Sequence, residues 1–270
     1  MRTIVITGGT DGIGRYLAGR YAARGDRVVI IGRDEAKGQA FLRMAGERAA
    51  FRQADLGALS QNRAVIDWLL ATCPLIDAVI LCARSYQPRR TETDDGIEDT
   101  FAHFYLSRFL FSHELREPLE RAHAPVIVNV AGAGANLSVV RWEDLQLTRD
   151  YSGKDAIGQG GKLNDLLGVS FAQHYPHGRT RYVLVHPGMT ATSHAGEYDR
   201  EIPALVEHLR SNGKPIPVAA QPIIQVVDSP PADPLSAFFE SRPIPVTGSG
   251  FDPAAARRLH QITIGLLSAR

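Results

Sequence analysis

The stretch TIVITGGTDGIG, residues 3–14, joins a short β-branched run to a glycine-rich turn and to the start of an amphipathic segment. A β-branched run of this length predicts a buried strand, and apolar residues at helical spacing after Gly12 predict a helix. The glycines stand where the backbone must turn tightly and let a pyrophosphate approach the N-terminus of that helix, whose unpaired N–H groups attract an anion. We therefore predict a strand–turn–helix unit that binds a dinucleotide, in preference to an ordinary glycine-rich turn.

Strand-like and helix-like segments alternate along the first 185 residues. The predicted strands are residues 3–7, 27–31, 49–54, 76–82, 126–131 and 181–185, and the predicted helices are residues 12–23, 34–45, 59–71, 96–122 and 158–173. This alternation is typical of βαβ units with right-handed crossovers on a parallel sheet. We predict an α/β fold with a doubly wound parallel sheet, the Rossmann architecture, in a single domain that spans residues 1–270.

After Val185 the chain becomes rich in Pro, Ser and Gly up to about residue 246, with one predicted helix at residues 201–210. In a doubly wound fold the ligand binds beyond the carboxyl ends of the strands, which is where this segment begins. We therefore predict that residues 187–246 form a lid-like insertion that covers a substrate; a surface insertion without a role is the alternative. A last helix is predicted at residues 252–267, after an Asp-Pro cap.

The composition indicates small-molecule partners. The net charge is +1 with both signs interspersed, which gives no electrostatic footprint for nucleic acid or for an anionic membrane. The two cysteines, Cys73 and Cys82, stand in apolar stretches and are expected to be free thiols, without a metal site.

There is no signal segment and no apolar run of membrane length, so we expect a cytoplasmic protein. Whether the protein forms a homo-oligomer stays open, because the aromatic residues of the predicted helix at residues 96–122 could pack within the protomer or against a second protomer.

Several motifs resemble those of the classical short-chain dehydrogenases/reductases. The loop at residues 7–14 resembles the cofactor loop of this family, and the segment HPGMTAT at residues 186–192 resembles the one that contacts nicotinamide and pyrophosphate. Asp55 and Leu56 resemble the adenine contact, and the VNV run at residues 128–130 resembles the fifth strand. The segments DGIE at residues 95–98 and DPAAARRL at residues 252–259 are similar to the retinol-dehydrogenase-like branch.

The resemblance implies an oxidoreductase that acts on CH–OH or C=O groups with a nicotinamide cofactor. The residue after the second strand faces the adenosine ribose, where an acid accepts from a 2′-hydroxyl and an arginine pairs with a 2′-phosphate. This chain has Gly32 and Arg33 there and no acid at the first of these positions, so Arg33 and the hydroxyl of Thr10 favour NADP(H). The alternative is that Arg33 is a solvated residue at the start of a helix, beside Asp34. The implied cofactor-binding residues are Thr7, Gly8, Thr10, Asp11, Gly12, Ile13, Gly14, Arg33, Asp55, Leu56, Cys82, Ala83, Lys162, Pro187, Gly188, Thr190 and Thr192.

The catalytic tetrad of that family, Asn, Ser, Tyr and Lys, is incomplete in this chain. Lys162 matches the lysine, which the resemblance places against the nicotinamide ribose. The tyrosine position is Gly158, the serine position is Gly132, and the asparagine position falls near Phe104. The cofactor site is therefore predicted to be intact, whereas the usual proton donor is missing.

Two tyrosines outside the tetrad, Tyr151 and Tyr86, are candidate replacement proton donors. The loss of a positioned general acid costs about 10²- to 10⁴-fold in rate. The two glycines, Gly132 and Gly158, are expected to open a substrate pocket beside the nicotinamide that admits a bulky planar ketone. A phenolic hydroxyl next to the carbonyl of such a ketone would stabilise the developing alkoxide without an acid from the protein.

The arrangement resembles the atypical ketoreductases that tailor aromatic polyketides, such as angucyclinones, in actinomycete antibiotic pathways. We predict an NADPH-dependent ketoreductase that acts on a bulky, polycyclic aromatic ketone with a non-standard or substrate-assisted proton donor. Two alternatives stay open. One is a non-redox cyclase or isomerase on the same fold, and the other is a catalytically inactive NADP-binding regulatory protein.

Overall fold

The computed structural model describes residues 1–134, 136–192, 207–208 and 211–269. Within these residues the chain forms an eight-stranded sheet with the order β3-β2-β1-β4-β5-β6-β7-β8. Strands β1 to β7 are parallel, and β8 pairs with β7 in the antiparallel direction. The strands are β1 Thr3–Thr7, β2 Arg27–Gly32, β3 Ala49–Gln53, β4 Ala78–Leu81, β5 Val126–Val130, β6 Arg181–His186, β7 Leu235–Phe239 and β8 Arg242–Ile244.

Helices cover both faces of the sheet. They are α1 Gly12–Ala23, α2 Glu35–Ala45, α3 Leu59–Thr72, α4 Asp99–Phe101, α5 Ser107–Glu114, α6 Arg116–Glu120, α7 Gly153–His174, α8 Ile216–Asp228 and α9 Pro253–Ser268. A π-helical turn, Ala102–Leu106, joins α4 to α5, and three short 3₁₀ turns lie at Gly46–Arg48, Leu137–Val139 and Ser249–Phe251. None of the helices in the described residues is long and apolar enough to cross a membrane.

Alternate residues of each strand enter two separate cores. Val5 and Val79 pack on the side of α3, α5, α7 and α9, whereas Ile4 and Ile80 pack on the side of α1, α2 and α8. Successive side chains in a strand point to opposite faces of a sheet, so a strand that is buried on both faces must be apolar throughout. This explains the continuous apolar runs, and it confirms the predicted α/β fold with a doubly wound sheet.

Side-chain caps set where the main helices begin. Asp11, Asp34 and Asp252 accept hydrogen bonds from backbone N–H groups at the starts of α1, α2 and α9, close to the predicted starts. Helix α7 begins five residues before its predicted start at 158, because the Ser152 hydroxyl accepts from the N–H of Asp155 at 3.1 Å. The predicted single helix at 96–122 was wrong, since α4, the π turn, α5 and α6 share that stretch.

The predicted cover at residues 187–246 was too long. Helix α8 lies against α1, and β7 and β8 extend the sheet, so residues 216–244 belong to the fold itself. Pro217 and Pro222 favoured the prediction of a loop in this part of the chain. However, Pro217 stands in the first turn of α8, where a backbone nitrogen has no partner within the helix and the missing N–H group of proline costs nothing. The covering role of residues 187–215 stays a prediction; residues 193–206 and 209–210, with most of the predicted helix 201–210, lie outside the described residues.

We predict that Ile223→Ala lowers the free energy of unfolding by about 2–5 kcal/mol, because Ile223 is fully buried in the core under α8. Chemical denaturation followed by circular dichroism measures the change. Val218→Ala on the exposed side of the same helix is the control, with an expected change within about 0.5 kcal/mol. Equal small effects of the two substitutions would contradict the assignment of α8 to the core.

Candidate functional site

A cavity of about 760 Å³ lies at the carboxyl ends of the strands at the centre of the sheet. Segments that follow β1, β2, β3, β4, β5 and β6 all contribute to its wall, as expected for a doubly wound fold. Most of the predicted cofactor residues line it, namely Gly8, Thr10, Asp11, Gly12, Ile13, Gly14, Arg33, Leu56, Cys82, Ala83, Pro187, Gly188, Thr190 and Thr192.

The glycines after β1 form a cradle that larger residues would fill. A Cβ atom added to Gly14 would lie 2.3 Å from the carbonyl oxygen of Gly8, and one added to Gly8 would lie 2.8 Å from the backbone of Ala83. Gly8 and Gly12 also have positive φ angles of 67° and 53°. The backbone of β1, α1 and the segment after β4 therefore approach one another closely, which leaves the N-terminus of α1 open to a pyrophosphate. The residues present fit a dinucleotide.

The far end of the cavity, after β2, has the features predicted for the adenosine ribose. A Cβ atom added to Gly32 would lie 2.6 Å from Oγ1 of Thr10, so the Thr10 side chain occupies the space that an acid at position 32 would need. Arg33 is exposed at the cavity wall. At the same end an exposed ion pair of 2.6 Å joins Lys37 to Asp11.

Two predicted cofactor residues, Thr7 and Asp55, do not line the cavity. The buried hydroxyl of Thr7 accepts a hydrogen bond of 3.4 Å from the N–H of Ala83 and so joins β1 to the segment after β4. The carboxylate of Asp55 accepts from the N–H of Gly57 at 2.9 Å, within its own turn. Thr7 therefore supports the cavity wall through Ala83, and Leu56, the neighbour of Asp55, borders the cavity.

Lys162 lies away from the cavity, which contradicts its predicted contact with the nicotinamide ribose. Its side chain is fully buried, and its ammonium group donates to Oδ2 of Asp165 at 2.7 Å and to the carbonyl oxygen of Gly250 at 2.6 Å. The Phe251 ring lies 5.1 Å from Nζ. Burial raises the pKa of Asp165 to about 6, and the neighbouring Lys162 opposes that rise. The pair therefore joins α7 to the turn before α9.

The rotation of α7 explains why Lys162 points away from the cavity. Asn164 faces the sheet, where its Oδ1 accepts from the amide of Asn129 at 2.9 Å. Residues two positions apart lie about 200° apart around an α-helix. With Asn164 turned to β5, Lys162 must therefore face the opposite side. The sequence motif gives the position of this lysine but carries no information on the helix rotation.

The two candidate tyrosines have different surroundings. Tyr151 does not line the cavity, and its single hydroxyl proton is shared between two acceptors, the carbonyl oxygen of Gln87 at 3.0 Å and the carboxylate of Glu98 at 3.1 Å. This arrangement contradicts its suggested role as a proton donor. Tyr86 does border the cavity, with its ring packed against Gly153, and its role as a donor stays a prediction.

The positions of the missing tetrad side chains carry no proton donor. Gly132 borders the cavity, and among the described residues a Cβ atom added there would have a single neighbour within 4 Å, Cδ2 of His186 at 3.9 Å. Gly158 is exposed on α7, and a Cβ atom added there would have no neighbour within 4 Å in the part of the chain that the structure describes, but Gly158 is not part of the cavity wall. Phe104, at the predicted asparagine position, is buried in the π turn. Gly158 is therefore not part of the predicted pocket, whereas the role of Gly132 in admitting a substrate stays a prediction.

Sequence reasoning missed three basic side chains in the cavity wall, Arg84, His103 and His186. Burial and the charge of Arg33 lower the pKa of His103 to about 4. Burial and the charge of Arg84 lower the pKa of His186 from its usual value. One signal in the sequence could have identified Arg84. The family resemblance leads us to expect Asn-Asn-Ala-Gly after the fourth strand, and this chain has Leu-Cys-Ala-Arg at residues 81–84, so that an arginine replaces the final glycine and adds charge to the cavity.

Both cysteines are free thiols. Cys82 borders the cavity, and burial raises the pKa of its thiol to about 12. It is therefore a neutral thiol at physiological pH and contributes apolar surface to the wall. Among the described residues, no group of His, Cys, Asp or Glu is arranged to hold a metal ion.

The family model for short chain dehydrogenases matches residues 2–143. Among curated proteins, the chain is 29% identical over 268 residues to the protein named as the daunorubicin C-13 ketoreductase DnrU of Streptomyces sp. (strain C5), covering 96% of this chain and 90% of that protein. It is 28% identical over 193 residues to retinol dehydrogenase 12 of Mus musculus, which covers 70% of this chain and 61% of the relative's length.

Solved structures share the fold at low sequence identity. A protein of Mycobacterium paratuberculosis superposes with a TM-score of 0.73 at 22% identity, over 98% of this chain and 93% of its own. A short chain dehydrogenase of Shigella flexneri in complex with NADP gives a TM-score of 0.64 at 19% identity, over 88% of this chain and 96% of its own. The 3-ketoacyl-(acyl-carrier-protein) reductase of Brucella melitensis, in complex with NADH, gives a TM-score of 0.66 at 17% identity, over 89% of this chain and 98% of its own.

We predict that Lys162→Met destabilises the fold by about 3–5 kcal/mol without weakening NADPH binding, because it leaves Asp165 buried without its cation. Denaturant unfolding measures the first effect, and titration of NADPH fluorescence measures the second. Adding Asp165→Asn should recover most of the stability, since an amide oxygen can still accept from the N–H of Gly134. A weaker NADPH affinity with unchanged stability would instead place Lys162 at the cofactor.

Proposed function

Because the chain belongs to the short chain dehydrogenase family, we propose that it is an NADPH-dependent ketoreductase that acts on a bulky, polycyclic aromatic ketone of polyketide type, with the substrate assisting its own protonation. The family makes the protein an oxidoreductase acting on CH–OH or C=O groups. The proposal adds the cofactor preference, the substrate and the proton source. The observation that carries it is Gly132, beside which the described residues leave open space in a cavity that has a dinucleotide cradle.

The cradle supports catalysis by positioning. A bound nicotinamide would supply a hydride to the carbonyl carbon. Gly8, Gly12 and Gly14 let the pyrophosphate reach the N-terminus of α1, and Arg33 supplies a guanidinium group for the 2′-phosphate. Holding two reactants in the correct geometry contributes up to about 7–11 kcal/mol to the barrier reduction. This contribution does not need the missing hydroxyl groups.

The space beside Gly132 supports the substrate class. A wall of glycine backbone admits a flat ring system close to the reacting centre, where a serine side chain would otherwise project. A ketone with a phenolic hydroxyl next to its carbonyl carries its own hydrogen-bond donor, and this offsets the lost general acid. The relative named as a ketoreductase of daunorubicin, aligned over 96% of this chain, supports a polycyclic aromatic ketone and a role in antibiotic biosynthesis.

The buried position of Lys162 favours one alternative, a catalytically inactive NADP-binding protein. A lysine at the nicotinamide would favour redox use, and the ion pair of Lys162 with Asp165 removes this argument. The inactive protein would bind NADPH and reduce no ketone, so the experiments below separate the two functions.

Arg33→Ala should weaken NADPH binding by about 10- to 100-fold and leave NADH binding unchanged, because only NADPH carries the 2′-phosphate that a guanidinium group pairs with. Fluorescence titration with each nucleotide gives the two dissociation constants. Arg43→Ala, an exposed arginine of α2 outside the cavity, is the control. Equal weakening for both nucleotides would refute the contact with the phosphate.

We expect 8-hydroxy-1-tetralone to be reduced about 100-fold faster than 8-methoxy-1-tetralone, since only the first carries a phenolic proton next to its carbonyl. With NADPH deuterated at the transferred position, mass spectrometry should find the label at the carbinol carbon. Equal rates for the two ketones would contradict substrate assistance. NADPH binding without deuterium transfer to either ketone would establish the inactive alternative for these substrates.

A further inference from the structure

We propose that His186 donates a hydrogen bond from Nε2 to the carbonyl oxygen of the substrate, and that Arg84 beside it stabilises the negative charge that develops on this oxygen. The inference rests on the proposed ketone reduction. It assigns to two side chains of the cavity wall the polarising role that the missing serine and tyrosine hydroxyls would otherwise have.

Sheet topology brings these side chains to one place. Strands β4, β5 and β6 are parallel neighbours, so their carboxyl ends meet at the same edge of the sheet. Arg84 follows β4, Gly132 follows β5, and His186 is the last residue of β6; all three border the cavity. Cδ2 of His186 lies 3.9 Å from the point where a Cβ atom of residue 132 would stand. Because Cδ2 is bonded to Nε2, the donor edge of the imidazole lies beside the vacated serine position.

A backbone hydrogen bond fixes the tautomer of His186. Its Nδ1 accepts from the N–H of Gly188 at 2.9 Å, so this nitrogen must keep its lone pair free of a proton. In a neutral imidazole the proton is then on Nε2, which becomes a donor. The ring is also held by Phe239, with 4.8 Å between the ring centroids. Within the part of the chain that the structure describes, no hydrogen-bond partner of Nε2 is found.

The charges around the ring keep it neutral. Burial and Arg84 lower the pKa of His186, while the backbone of His186 itself and Glu240 raise it, and the lowering effects dominate. A neutral imidazole can polarise a carbonyl group as a hydrogen-bond donor without losing its proton. Arg84 lines the cavity, makes no ion pair with the other described residues, and is close enough to His186 for its positive charge to act on the imidazole. Fixed donors and charges aimed at an oxyanion are effective because they need little reorganisation during the reaction.

The step balances without a protein acid. The hydride adds to the carbonyl carbon, and the π electron pair of the C=O bond moves to oxygen, where His186 and Arg84 stabilise it. The alkoxide then takes the proton of the neighbouring phenol, and the solvent reprotonates the phenolate. His186 and Arg84 keep their protons throughout.

Two variants of His186 separate hydrogen bonding from packing. His186→Phe keeps an aromatic ring on Phe239 but has no N–H group, and it should lower kcat for 8-hydroxy-1-tetralone by about 100-fold with little change in KM. His186→Gln places an amide N–H group near the position of Nε2 and should recover activity to within about tenfold of wild type. Thermal unfolding and NADPH titration should show that both variants fold and bind the cofactor.

A spectroscopic measurement gives a readout that does not depend on turnover. The infrared band of ¹³C-carbonyl-labelled 8-methoxy-1-tetralone, bound to the protein loaded with NADP⁺, should shift to lower wavenumber than in buffer. The shift should be lost in His186→Phe and retained in His186→Gln, because a hydrogen bond weakens the C=O bond. The methoxy ketone is used because it has no internal hydrogen bond to its own carbonyl.

Each outcome distinguishes the inference from the proposed function. Wild-type activity that survives in His186→Phe, or a carbonyl band that is the same in that variant, overturns the role of His186 and leaves ketone reduction standing. Equal losses in His186→Gln and His186→Phe would indicate that His186 only packs against Phe239. A wild-type protein that reduces neither tetralone overturns the proposed function for these substrates, and the inference with it.

Discussion

The reactive edge of the sheet depends on one buried guanidinium group. Arg108 on α5 donates to the carbonyl oxygens of Ala83 at 2.8 Å and Val130 at 2.9 Å, and to the side chain of Asn129. Burial lowers its pKa to about 9, which still leaves it charged at neutral pH, and these acceptors compensate for the water that it loses. The ends of β4 and β5 are thereby held at a fixed separation. These contacts of Arg108 therefore determine the geometry of the cavity wall that follows β4 and β5.

The same network determines what α7 presents to the cavity. Asn129 also donates to Asn164 at 2.9 Å and to the hydroxyl of Tyr182 at 2.8 Å, which fixes the helix against β5 and β6. A glycine at position 160 is required in this packing, since a Cβ atom there would lie 2.6 Å from the Phe104 ring. Helix rotation and close packing together take Lys162 out of the cavity. A short motif can be retained in a sequence while its contact with the cofactor is lost.

The sequence was sufficient for the features that depend on local patterning. The β-branched runs, the Asp252 cap and the glycine cradle after β1 follow from backbone rules, and the structure agrees with them closely. Helix α8 and strand β7 were missed, because α8 contains Pro217 and Pro222 and because the stretch SPPADP at residues 229–234, just before β7, is typical of a loop. The polar wall of the site was missed for another reason. The tautomer of His186 depends on the N–H group of Gly188, and its charge depends on Arg84, which follows a different strand.

The contact between Gly32 and Thr10 makes the two positions interdependent. Thr10 Oγ1 stands 2.6 Å from where a Cβ atom of residue 32 would be, so a side chain can enter one position only if the other becomes smaller. An acidic residue introduced at 32 alone would displace the loop that cradles the pyrophosphate before it could reach a ribose. In evolution or in the laboratory, a change of nucleotide preference through position 32 would therefore require two substitutions in a fixed order, because Thr10 must become smaller before residue 32 can become larger.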